Sequence, residues 1–203
     1  PLVYLNRGAV YSKLNEYDRA LVDYSHVIDI DPSSAEAYSR RGTCFYYLRE
    51  YSSAVDDYDR AIDLGMRHAD AYRNRGLAYY RAGAYQEAIA DFSQAIELDS
   101  SYAPAYASRG GTLIELGHYD EGIQDINQAI GLDPENHEAY TSRGAARAAQ
   151  GNLEKALEDL DRALDLKPNF PLAIVNKAAI LRLQGRLDDA PALLRQAGII
   201  QDR

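Results

Sequence analysis

One thiol, four imidazoles and two Asp–Asp pairs are the first groups in this chain to weigh for covalent, metal or proton-transfer chemistry. Cys44 is the sole cysteine, which excludes an intrachain disulfide framework and a multi-cysteine zinc site. A single buried thiol reads as a packing residue. His26, His68, His118 and His137 show no paired-ligand spacing and fall mostly near helix ends, so they are expected at the surface. Asp56–Asp57 and Asp188–Asp189 suit solvated helix faces better than acid/base machinery. No Gly-rich phosphate loop, nucleophile elbow or Cys–His pairing is present. The expectation is a chain with no catalytic residues, no metal and no cofactor, and therefore not an enzyme.

The charged residues that do keep strict spacing point to ion pairing. Arg7, Arg41, Arg75, Arg109, Arg143 and Lys177 recur every 34 residues, and Asp23, Asp57, Asp91, Asp125 and Asp159 recur with the same period. Leu193 takes the sixth acid's place. The favoured pairing sets each Asp against the basic residue of the following repeat, because the acid vanishes where no successor follows. Arg7 would then face no acid within the chain. A pair inside each repeat, or solvated surface charge, is the alternative. Exposed pairs contribute only ~0–1 kcal/mol, so either ladder would chiefly set register.

The elements that carry these charges are equally periodic. Tyr4–Arg7–Gly8 returns as Tyr38–Arg41–Gly42, Tyr72–Arg75–Gly76, Tyr106–Arg109–Gly110 and Tyr140–Arg143–Gly144, with a looser Ile174–Lys177–Ala178. Six units follow, at 1–34, 35–68, 69–102, 103–136, 137–170 and 171–203, and together they form a single domain over 1–203. Each unit reads as two short helices. In the third, a stripe over Asp70–Ala82 ends at Gly83, and a second runs from Tyr85 to Leu98. Asn15, Arg49, Gly117, Gly151 and Gly185 occupy the equivalent of Gly83. Glycine on the first helix faces Ala20, Ala54, Ala88, Gly122, Ala156 and Ala190 on the second, small against small, for close approach. Helices this short are marginal alone and need their neighbours.

Tyr at the fourth position, Gly at the eighth, aromatics at the eleventh and seventeenth, Ala at the twentieth and twenty-seventh and Pro at the thirty-second resemble the tetratricopeptide repeat (TPR) family across 1–203. Leu113, Arg147 and Leu181 depart from the eleventh-position aromatic. The resemblance implies an all-α, right-handed α-solenoid, a superhelix of antiparallel helix pairs. It also implies a concave groove, lined by the first helices, that receives peptides or extended partner segments.

By the same resemblance, positions 2, 5, 6, 9, 12 and 13 of each repeat face that groove. Its cations are Lys13, Arg40, Arg73, Arg81 and Arg182, and its acids are Glu36, Asp70, Glu115 and Glu138. So mixed a lining does not make a phosphate funnel. The expected hot spot is Arg40, Tyr46, Tyr47, Arg73, Asn74, Tyr80 and Arg81, residue types that anchor interfaces. Asn6, Asn74 and Asn176 form half of a polar row that could grip a peptide backbone. A clamp for chaperone C-termini is missing: Ser39, Thr43, Asn74, Pro104 and Ser108 stand where it would lie.

A net charge of −9 argues against a general nucleic-acid partner or an anionic membrane. No apolar run reaches spanning length and no signal peptide is visible, so the chain is expected to be soluble and, by default, cytoplasmic. It has no initiator Met, and residue 1 opens a repeat, which suggests a piece of something longer. The leading function is a non-catalytic protein–protein interaction scaffold. Competing with it are self-assembly into a homo-oligomer through an apolar C-terminal end (Pro191, Leu193, Leu194, Ile199, Ile200) and service as the substrate-presenting arm of a larger enzyme.

Overall fold

A computed structural model describes residues 1–196 and 198, so Ile199 and Ile200 of the apolar C-terminal end lie outside the described residues. Among the described residues there are twelve helices and no strand. They come in consecutive pairs: α1 (Leu2–Lys13) with α2 (Tyr17–Ile30), α3 (Ala35–Tyr47) with α4 (Tyr51–Asp63), and α5 (Ala69–Ala82) with α6 (Tyr85–Leu98). Then come α7 (Ala103–Glu115) with α8 (Tyr119–Leu132), α9 (His137–Ala149) with α10 (Leu153–Leu166), and α11 (Pro171–Leu183) with α12 (Asp189–Gln196). The fold class is all-α, with the paired-helix architecture of an α-solenoid. The helices group into two compact units, 1–108 and 109–203.

Each pair turns over at one left-handed residue. Gly83, Gly117, Gly151 and Gly185 take φ of 78–84° there, and Asn15 and Arg49 take the same turn at 60° and 66° without glycine's freedom. Asn and Gly are ordinary at such a cap, whereas Arg is not. Chemistry at the helix starts is local: the Ser34 hydroxyl, His68 Nδ1 and Asn136 Oδ1 each accept the backbone N–H three residues on. His68 is therefore a cap.

Small residues do bring the paired helices together, though not only against small partners. A Cβ on Gly42 or Gly144 would meet the backbone oxygen of Ala54 or Ala156 at 3.2 and 3.1 Å. On Gly8 or Gly76 it would run instead into the ring of Tyr24 at 2.8 Å or Phe92 at 2.7 Å. The aromatic on the second helix occupies the space that a side chain at the glycine would need. Around this seam the first unit buries Ala20, Tyr24, Val27, Ala54, Tyr58, Ala88 and Phe92, and the second buries Ala156, Leu160 and Ala163.

The periodic acids pair within their own repeat, which corrects the favoured inter-repeat expectation. Arg7, Arg41, Arg75 and Arg109 each donate Nε and Nη2 to the two carboxylate oxygens of Asp23, Asp57, Asp91 and Asp125 at 2.6–2.9 Å. Arg143 does the same to Asp159, at 2.6 Å for its shortest bond. Arg7 is thus not waiting for an outside acid: Asp23 holds it. Sequence position alone could not separate partners sixteen residues ahead from partners eighteen behind. The sixth repeat loses the pair as a unit, with Lys177 and Leu193 replacing Arg and Asp.

A link between repeats does exist, but it runs to a different residue. Arg41, Arg75 and Arg143 turn Nη1 to Ser25, Asp59 and Asn127 of the preceding repeat, at 3.1, 2.6 and 2.6 Å. Lys177 reaches Asp161 in the same way. The recurrent tyrosine completes the socket: the guanidinium carbons of Arg7, Arg41, Arg75 and Arg143 sit 5.4–5.6 Å from the ring centroids of Tyr4, Tyr38, Tyr72 and Tyr140. One cation is therefore held by an acid, a ring and the previous repeat. These acids are buried and the pairs are bidentate, so they differ from the exposed ladder first expected.

Candidate functional site

The expected groove residues of the first unit come from α1, α3 and α5. Arg40 is exposed and forms an i,i+4 pair with Glu36 at 2.7 Å. Beneath it, core tyrosines send hydroxyls to the first helices: Tyr24 meets Ser12 at 3.2 Å, and Tyr58 meets Thr43 at 3.0 Å. Burial pushes the Tyr58 phenol up to about 12, against a smaller opposing effect of the Thr43 bond. The floor is thus tied to the core, a rigid base for recognition.

The most developed feature is an aromatic cluster at the ends of α3 and α5. Tyr47, 57% exposed, stacks on Tyr17 with ring centroids 4.9 Å apart and planes within 8°. Tyr46 meets Tyr47 edge-on at 5.6 Å and Tyr51 at 5.8 Å. Its hydroxyl accepts a hydrogen bond from Arg81 Nε at 3.3 Å, and that bond raises the arginine's pKa. Tyr80 packs on Tyr85 at 5.5 Å. Tyr46, Tyr47 and Arg81 are therefore brought together. Tyr17 and Tyr51, absent from the expected set, belong with them. Both are seventeenth-position aromatics of the repeat; their place at the turn, close to position 13, is what the repeat register could have indicated.

Arg73 and Asn74 are half-buried on α5. Arg73 Nε is buried and is the single such side-chain atom without a hydrogen-bond partner among the described residues. Its guanidinium lies beside the Tyr102 hydroxyl, which donates to Asp70. The phenol is pushed up to about 12, first by burial and then by the Asp70 carboxylate, with Arg73 opposing. Asn6 is exposed on α1 and Asn176 half-buried on α11 of the second unit. At the family's groove positions, repeats one to three carry Lys13, Arg40, Arg73 and Arg81 against Glu36 and Asp70, a local cationic excess on a chain of net charge −9.

Cys44 is 1% exposed, and burial raises its thiol, so it is the packing residue expected. No group of three or more His, Cys, Asp or Glu suits a metal ion among the described residues, and no helix there is long and apolar enough to cross a membrane. At the C-terminal end, Leu193 and Leu194 pack against Ala178, Leu181 and Ala190. Both leucines are half-buried there.

Tetratricopeptide repeat models match residues 1–34, 35–64 and 69–102, and a second such model matches 109–171. Among solved structures, YrrB, described as a TPR protein with an unusual peptide-binding site, is 30% identical. That match covers 84% of this chain and 88% of YrrB with a TM-score of 0.69. MamA is 25% identical over 83% of this chain and 92% of its own, with a TM-score of 0.72. PilW, a type IV pilus biogenesis factor, shares the fold at a TM-score of 0.86 and 16% identity, over 96% of this chain and 90% of its own. A search of the curated proteins returns no match.

Proposed function

The chain belongs to the tetratricopeptide repeat family, and from that premise we propose that it is a non-catalytic protein-interaction scaffold which binds an extended segment of a partner along α3 and α5. The carrying observation is the Tyr46–Tyr47–Arg81 cluster with its Tyr17 and Tyr51 supports. Rings fixed by one another lose little entropy when a ligand docks, and an arginine at their edge supplies directional donors. Arg40 and Arg73 extend the cationic side, so the favoured segment carries carboxylates. YrrB's peptide-binding description supports this class of partner.

Binding of acidic and neutral peptide libraries, followed by fluorescence polarisation of the hits, tests the reading. Tyr47→Ala and Arg81→Ala should each weaken the best hit by about 10-fold or more, as should Arg73→Ala and Tyr80→Ala at the second pair. Asp56→Ala, on the exposed side of α4, should leave it unchanged. Equal binding by all five chains would place recognition elsewhere.

A further inference from the structure

We propose that the cleft among α10, α11 and α12 binds a small carboxylic acid with an aromatic or branched apolar body, held through Lys177. This site is separate from the α3–α5 surface and does not depend on peptide binding there. Three positions that meet in repeats one to three are changed together in the sixth. In the earlier repeats the seventh-position arginine grips its own acid and lies beside an eleventh-position ring. The guanidinium carbons of Arg7, Arg41 and Arg75 sit 5.9–6.0 Å from the centroids of Tyr11, Phe45 and Tyr79. The sixth repeat has Lys177, Leu181 and Leu193 in place of cation, ring and acid. All three line a cleft of about 390 Å³, together with Leu157, Asp161 and Arg186. The cause is volume: lysine lacks the guanidinium fork, and leucine is smaller than a tyrosine or phenylalanine ring. The lining is drawn from repeats five and six, just as Arg75 is held by repeats two and three, so the site calls on no following repeat.

What the sixth repeat kept and lost sets the chemistry. The cation stays while its own repeat's acid becomes leucine, so the hydrogen bond of Lys177 goes to Asp161 of the preceding repeat. An ammonium carries three N–H donors, and that bond uses one. The Lys177 side chain is 25% exposed, so a further acceptor can reach it. Leu157, Leu181 and Leu193 supply the apolar wall, within one cluster that includes Ala178 and Ala190. At the rim Arg186 donates Nε to Asp189 at 2.7 Å, and its terminal nitrogens remain as donors. Each rim acid is already matched by a cation, so a cationic ligand would have to displace Lys177 from Asp161 or Arg186 from Asp189. A ligand carboxylate against Lys177 instead supplies what aspartate supplies in the first five repeats, while its apolar body covers the leucines. A cavity of about 150 Å³ accommodates benzene, so this cleft takes roughly 10–15 non-hydrogen atoms.

Titration of the whole chain with hydrocinnamate and with its neutral amide, followed by NMR of methyl and backbone groups, tests this. The acid should bind with a Kd of about 1 mM or tighter, with shifts centred on Leu181 and Leu193, and the amide about 10-fold more weakly. Lys177→Gln, at a half-buried position, should abolish the preference for acid over amide. Leu193→Asp restores the acid of the earlier repeats and should weaken hydrocinnamate by about 10-fold or more through like charge. Circular dichroism of both variants should match the parent, which separates lost binding from lost fold. Equal binding of acid and amide, or no binding of the acid at about 10 mM, would overturn the inference. So would unchanged affinity in Leu193→Asp, or shifts centred on α3 and α5 in place of α11 and α12.

Discussion

The pairing inside each repeat predicts a coupling energy that can be isolated at Arg41. Its Nε and Nη2 both lie 2.8 Å from Asp57, whose side chain is 7% exposed while that of Arg41 is 22% exposed. Removing Arg41 leaves a desolvated carboxylate with no counter-charge. Breaking a buried pair this way costs ~3–5 kcal/mol, and the partly exposed guanidinium places Arg41→Ala near the lower end. In a double-mutant cycle with Asp57→Ala the interaction should be about 1.5–3 kcal/mol. The competing pair, Asp23 with Arg41, should couple by less than ~0.5 kcal/mol, since Asp23 is taken by Arg7 and the hydrogen bond from Arg41 to that repeat goes to Ser25. Urea unfolding followed by circular dichroism at 222 nm supplies all the stabilities. A larger coupling for Asp23–Arg41 than for Asp57–Arg41 would refute the intra-repeat assignment.

Arg49 holds φ at 66° where four other repeats use glycine, so Arg49→Gly should stabilise the chain by about 0.5–1 kcal/mol, read as a higher urea midpoint. Gly76→Ala should destabilise by roughly 1–3 kcal/mol, because its Cβ would lie 2.7 Å from Phe92. Gly111→Ala, with nothing within 4 Å of its Cβ, should instead gain about 1 kcal/mol of helix propensity. The Tyr58 phenol ionises near 12 in the folded chain and near 10 when unfolded, so its contribution is complete below pH 10 and is lost as pH rises towards 12. That loss is on the order of 3 kcal/mol, and Tyr58→Phe should flatten it in alkaline denaturation curves.

The 34-residue period by itself determined the helix pairs, their turns and the seam of glycine and alanine, because each unit must present the same apolar face to neighbours of its own kind. The family resemblance, and not the period, placed Tyr46, Tyr47 and Arg81 within one candidate surface, since it sets positions 12 and 13 of the first helices towards the groove. Which Asp each Arg grips was decided only by the fold. In a strictly periodic chain every Arg has an Asp sixteen residues ahead and another eighteen behind, and only the packed geometry of the paired helices distinguishes them. The same holds for the recruitment of Tyr17 to Tyr47, which joins a second helix to the first helix of the next repeat. Period is a property of one repeat; partnership depends on what stands beside it.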